Sequence, residues 1–142
     1  MNFLYEVLVC KKKKGQAMTE KLEIYKCHIC GNVVQVLLNG MGNLVCCGEN
    51  MEHLQAQFKE DELGEKHVPQ ILEENGKKVI RLEKHPMTNE HYIQFIEAFS
   101  KDKTEIRLKY LCPNQTAEFD ISDFDSEEAI ELCNIHNLWR NK

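Results

Sequence analysis

The most chemically suggestive stretch lies near the C-terminus, at Cys133-Asn134-Ile135-His136. A thiolate and an imidazole three residues apart stand one helical turn from each other, so both can face one centre. Upstream, His67, His85 and His91 have no partner close by in sequence. If folding brings the five together, one metal ion is held by four nitrogens and one sulfur, and one coordination position stays open. Taken singly, each residue has a plainer reading, as a buried cysteine beside a capping histidine or as surface histidines.

A second constellation is Cys27-x-x-Cys30 with the adjacent pair Cys46-Cys47. Four thiolates make a tetrahedral site that suits zinc or a single iron. The first pair is an ordinary metal knuckle. Adjacent cysteines cannot form the usual chelate loop, so a distorted tetrahedron is expected. A structural zinc site competes with iron here. A disulfide between Cys46 and Cys47 would be strained.

These residues need elements to position them. Leu22 to Lys26 alternates with period two, and Asn32 to Leu38 is rich in Val and Leu; both read as strands. Asn39 to Asn43 is a turn. The unit from about 18 to 54 is too small for a core of its own, so a metal must help to hold it. Residues 55–64 are polar and acidic and read as a linker, with room for a helical turn. Beyond them, Lys77 to Leu82 (entered through Glu74-Asn75-Gly76), His91 to Phe99, Thr104 to Leu111 and Ala117 to Ile121 read as strands. In Thr104 to Leu111 the apolar Ile106, Leu108 and Tyr110 share one side. Asp125 or Ser126 is placed to cap a short helix over 127–132, with Glu127 and Glu128 in its first turn. The fold class expected is all-β: a small metal-binding module followed, over 65–142, by an antiparallel β-sandwich.

Composition sets further bounds. At 142 residues, 42% hydrophobic and 29% charged, the chain is that of a globular protein. A net charge of −5 with a single Trp argues against a nucleic-acid partner. No apolar run approaches the roughly 18 residues of a membrane span. Seven cysteines is an odd number, and they cluster with histidines, which favours metal ligation in a reducing cytoplasm over a disulfide scaffold. Residues 1–17 place an apolar run before Lys11 to Lys14, the reverse of a signal peptide. They are expected to be a non-native or disordered extension, with Met18 as the true start. An intact mass that includes them in protein from the native source would sink that expectation. Without them the balance is 14 basic against 22 acidic residues, a net −8.

The motifs Leu22-Glu23-Ile24-Tyr25-Lys26-Cys27, Cys46-Cys47-Gly48-Glu49, Glu65-Lys66-His67-Val68-Pro69, His85-Pro86-Met87, Glu90-His91-Tyr92-Ile93 and Cys133-Asn134-Ile135-His136 occur in this order. In them the chain resembles desulfoferrodoxin, the two-iron form of superoxide reductase, from about Glu20 to Trp139. The resemblance implies a desulforedoxin-like module whose Cys27, Cys30, Cys46 and Cys47 hold one iron. It implies an immunoglobulin-like catalytic sandwich whose His67, His85, His91 and His136 surround a second iron, with Cys133 as axial sulfur. Lys66 would stand beside the open position, and Glu65 would occupy it when the iron is oxidised. It further implies an oxidoreductase acting on superoxide, a rubredoxin as electron donor and a homodimer. Asn137 stands where the family often has Gly, but Asn tolerates a left-handed backbone. Cys10, Cys112, His28 and His53 match no ligand position; Cys112 reads as a buried or free thiol. Two other readings remain at this point: a zinc-ribbon docking module, which would not need the second constellation, and an electron carrier, which would not need an open position.

Overall fold

The structure, a computed structural model, describes residues 18–142. The expected extension 1–17, with Cys10, lies outside the described residues. The chain divides into two compact units between Leu54 and Gln55.

The first unit is built on β1 (Ile24–Lys26), which lies between β2 (Val33–Gln35) and β5 (Glu52–Leu54), antiparallel to both. A hairpin of β3 (Val45–Cys46) and β4 (Glu49–Asn50) completes it. Its apolar interior is small: Ile24, Cys27, Val36 and Leu54 are buried, while Ile29, Leu37, Leu38, Met41 and Val45 are largely exposed. So little buried apolar surface does not offset the conformational entropy of ordering the unit, and the four thiols must contribute.

The second unit begins with α1 (Glu62–His67). Seven strands follow: β6 (Gln70–Glu74), β7 (Lys77–Arg81), β8 (Ile93–Ser100), β9 (Ile106–Tyr110), β10 (Glu118–Asp120), β11 (Ser126–Cys133) and β12 (Asn137–Arg140). They form two antiparallel sheets, ordered β10-β7-β6 and β12-β11-β8-β9. Ile80 and Leu82 from one sheet meet Ile93, Ile96, Ala98 and Ala129 from the other in a single core, joined by Leu111, Ile121 and Phe124. Each fully buried aliphatic side chain of this kind contributes about 1.5–3 kcal/mol. The expected sandwich is therefore present, three strands on four. Asn75 and Gly76, both at positive φ (52° and 76°), form the tight turn between β6 and β7.

Two local expectations are corrected. Residues 127–132 are strand, not helix. Ala129 to Cys133, Glu131 among them, are all buried in β11, which lies between β8 and β12, so burial runs consecutively along the strand without alternating. In β9 the alternation is real, but its apolar side faces outward: Ile106, Leu108 and Tyr110 are 36%, 37% and 77% exposed. Arg107 instead lies over the Phe124 ring at 4.4 Å and pairs with Asp123 at 2.6 Å. Finally, residues 55–64 are built into the second unit. The Gln57 backbone N–H donates to Leu138 O (2.9 Å), and Arg140 N–H donates to Gln57 O (3.0 Å), so this segment runs alongside β12.

Candidate metal centres

In the first unit, the Cys27 N–H donates to Asn32 O (2.9 Å) and Gly31 N–H to Cys27 O (3.0 Å), which curls Cys27–Cys30 into a knuckle. Gly31 has φ +80°, a conformation glycine adopts without steric cost. The adjacent cysteines reach the same point by different means. Cys46 ends β3 opposite Glu49, and Cys47-Gly48 are the two turn residues, at φ 53° and 78°. A two-residue turn with both φ values positive swings the second sulfur back beside the first. The four sulfurs lie within 4.8 Å of one another, with Cys30–Cys46 at 3.5 Å and Cys46–Cys47 at 3.9 Å. A tetrahedron with metal–sulfur bonds of about 2.3 Å has edges of about 3.8 Å, so the cluster fits a metal and is far too open for a disulfide. Backbone N–H groups of Cys30 and Ile29 pull the Cys27 thiol down to about 6. Cys47, sharing its proton with the Cys30 and Cys46 sulfurs, is pushed up to about 12. Crowded thiols cannot all ionise unless a cation joins them.

The second cluster is assembled from three places. His67 ends α1, a short helix capped by the Asp61 carboxylate accepting from Gly64 N–H (2.9 Å). Gly64 is required there, because a Cβ would collide with the Lys59 carbonyl. His85 and His91 lie between β7 and β8, where the Thr88 hydroxyl accepts the His91 N–H (3.1 Å). Cys133 and His136 flank the turn joining β11 to β12, closed by the pair Cys133↔Asn137. The Cys-x-x-His spacing thus works through a hairpin and not through a helical turn. Asn137 adopts φ +62°, the left-handed backbone expected of it.

The four imidazoles form a closed cycle. Ring centroids are 4.7 Å apart for His67–His85, His85–His91 and His67–His136, and 5.0 Å for His91–His136, all edge-on. Across the cycle His67 and His91 are 6.1 Å apart. Ligand atoms of His67, His91, Cys133 and His136 lie within 4.8 Å of one another; His85 joins through its ring contacts but lies outside that set. His67 Nδ1 donates to Leu63 O (2.9 Å) and His85 Nδ1 to Pro86 O (2.6 Å), which leaves Nε2 of each as a bare acceptor. Nε2 of His67, His85 and His91 are all buried with no hydrogen-bond partner. Three unpartnered ring nitrogens in one place cost free energy unless a cation joins them. Burial holds His67 and His91 below the usual histidine range and His85 at about 4, so these three rings are neutral. Burial pushes the Cys133 thiol up, while backbone N–H groups of His136 and Ile135 act the other way.

Several supporting residues carried no sequence signal. Trp139 stacks on His67 (4.9 Å, 27°), and its indole N–H donates to His136 O (3.0 Å). The Gln57 side chain donates to the same oxygen (2.9 Å). Asn134 accepts from Tyr92 N–H (3.0 Å) and donates to Glu90 O (3.0 Å), tying the turn to the His91 segment. Lys66 is exposed and raises the local potential at His67 and His91. Glu65 pairs with Lys84 at 2.8 Å, which holds its carboxyl below the usual range. The histidines outside the clusters have other partners: His28 lies 3.2 Å from Glu52, and His53 stacks on Tyr25 at 5.0 Å. Cys112 is an exposed free thiol.

Residues 19–54 match the family described as desulfoferrodoxin, N-terminal domain, and residues 59–142 match the family described as desulfoferrodoxin. A desulfoferrodoxin homolog of Archaeoglobus fulgidus is 41% identical over 128 residues, which are 87% of this chain and 99% of the relative. The desulforedoxin of Megalodesulfovibrio gigas is 56% identical over 34 residues, 24% of this chain and 92% of that protein. The superoxide reductase of Treponema pallidum shares the fold, with a TM-score of 0.62 at 22% identity over 90% of this chain and 99% of that one. Two family matches that together span nearly all the described residues, with a relative of this identity aligned along almost its whole length, establish that this chain belongs to the desulfoferrodoxin family.

Proposed function

We propose that the protein is a superoxide reductase carrying two mononuclear irons, one held by Cys27, Cys30, Cys46 and Cys47 and one by His67, His85, His91, His136 and Cys133. The observation that carries this reading is the closed cycle of four imidazoles with three buried, unpartnered Nε2 atoms, beside the Cys133 sulfur. When bound, the second iron supplies one electron and one open position for superoxide, which with two protons becomes hydrogen peroxide. Neutral imidazoles leave the cation's charge uncompensated, which favours an anionic substrate. Cys133 would be the one sulfur ligand, and its thiolate would donate electron density to the bound ion, the lever that a cysteine-ligated haem uses. Its sulfur is steadied by the His136 backbone N–H at 3.4 Å. Lys66 supplies a positive charge at the mouth, which steers superoxide toward an otherwise acidic protein. Glu65, an exposed carboxylate two residues before His67, would be the side chain able to occupy the open position of the oxidised centre.

The first iron relays electrons or braces its unit, and zinc could serve only the second of these roles. A rubredoxin-type donor and a homodimer complete the reading. The exposed Leu37, Leu38 and Met41 of the first unit support contact with a second copy. A reducing cytoplasm is supported by the free thiols, and no helix of the described residues is long and apolar enough to cross a membrane. A zinc-ribbon docking module would have no use for the histidine cycle. Metal analysis and a visible spectrum of the purified protein test the proposal: two irons per chain with two distinct thiolate absorptions are expected. One zinc per chain and a colourless protein would overturn it.

A further inference from the structure

The Glu65–Lys84 ion pair joins two segments that carry ligands but share no strand. Glu65 lies on α1, two residues before His67; Lys84 lies beyond β7, one residue before His85. The Lys84 ammonium donates to Glu65 Oε2 at 2.8 Å, and the two side chains are 64% and 62% exposed. Among the described residues no other ion pair links these segments, and Lys66 has no carboxylate partner. Of the four charges just before the two histidines, Glu83 faces Arg81, Lys84 neutralises Glu65, and the Lys66 cation has no carboxylate partner.

We propose that Lys84 is a positioning residue of the second centre: by pairing with Glu65 it restrains this carboxylate at the rim and weakens its competition with an incoming anion for the open position. The inference rests on the reading that Glu65 is the side chain that fills that position. An exposed pair of this kind is weak and screened by salt, worth roughly a two- to fivefold shift in an equilibrium. That magnitude suits a latch that must release in every cycle. A stronger pair would hold Glu65 away from the iron, and without the pair the carboxylate would compete more effectively for the open position.

The test uses the iron-loaded, oxidised full chain, titrated with azide at fixed neutral pH and low salt, with the Cys133-to-iron absorption as readout. Lys84→Gln should weaken apparent azide affinity roughly two- to fivefold, and Lys84→Arg should restore it. In a Glu65→Gln background the same Lys84→Gln change should have no effect. At high salt the wild type should approach Lys84→Gln. An unchanged affinity in Lys84→Gln overturns the proposal. So does an equal loss in both backgrounds, since that would report only a lost surface charge. The role of Glu65 is read separately, from the oxidised spectrum without azide. If Glu65→Gln leaves that spectrum unmoved, the underlying reading fails, and this inference fails with it. If it moves the spectrum but the two substitutions act independently, only the role of Lys84 fails.

Discussion

The Cys133 sulfur is almost completely buried, and its nearest polar neighbours are His136 Nδ1 at 3.8 Å and the His136 backbone N–H at 3.4 Å. A serine oxygen at this position would be a harder and weaker donor, with nothing else near enough to replace the thiolate. Cys133→Ser should therefore abolish the thiolate absorption of the second iron and leave that of the Cys27–Cys47 centre intact, as read by visible spectroscopy of the loaded protein. Loss of both absorptions, or of neither, would contradict the assignment. On the proposed reading Lys66 acts on the encounter and not on the ligand set. Lys66→Ala should lower the bimolecular rate with superoxide roughly three- to tenfold at low salt and flatten its dependence on ionic strength. Pulse radiolysis that finds an unchanged rate would remove the steering role.

At the scale of elements, the ligand frame depends on how closely α1 approaches the chain before it. Gly64 meets the Lys59 carbonyl where a methyl group cannot fit. Gly64→Ala should cost about 1–3 kcal/mol in the second unit and displace His67, so iron at the second centre should be lost before iron at the first. Full loading with an unshifted Tm would count against this. Glu131 on β11 is a second point of tension: it is fully buried, and neither carboxyl oxygen has a partner among the described residues. Burial alone drives its pKa well upward. Glu131→Met should stabilise the unit by about 1–3 kcal/mol at pH 7, with a gain that shrinks as pH falls through the ordinary glutamate range, below which the acid is neutral in both states. The same strand shows why the sequence was read in part only. Ser126 to Cys133 carries an acceptable N-cap, two early glutamates and a run of apolar residues, all consistent with a helix. What makes it a strand is pairing with β8 and β12, and no local window contains those partners. β12 and β6 were likewise illegible because their residues do not alternate cleanly. The clustering of the candidate ligands was legible for the opposite reason: Cys, His and their spacing are what coordination chemistry would select, and a change of local conformation from helical turn to hairpin still brings them together.

For the whole molecule, protons and metal compete for the same lone pairs. His67, His85 and His91 are held neutral by burial, His85 down to about 4 against an ordinary 6.5. A folded-state pKa below that of the unfolded chain means that the unfolded chain takes up protons first as pH falls. The stability these histidines allow is therefore complete above about 6.5 and declines as pH drops toward about 4, below which both states are protonated. Most carboxylates titrate lower, so the interval from 6.5 to 5 isolates the histidines. Metal-free protein should show Tm falling across that interval. Iron-loaded protein should hold its Tm further down, because the ion blocks protonation of its ligands until it is released. Release of the second iron should then be cooperative, since each histidine that protonates places a positive charge within one ring's width of the next. Differential scanning calorimetry with and without iron, alongside the visible spectrum at each pH, reads both effects. A metal-free Tm that stays flat from pH 6.5 to 5 would show that the histidines are not held neutral, and with that the electrostatic basis of the centre would fall.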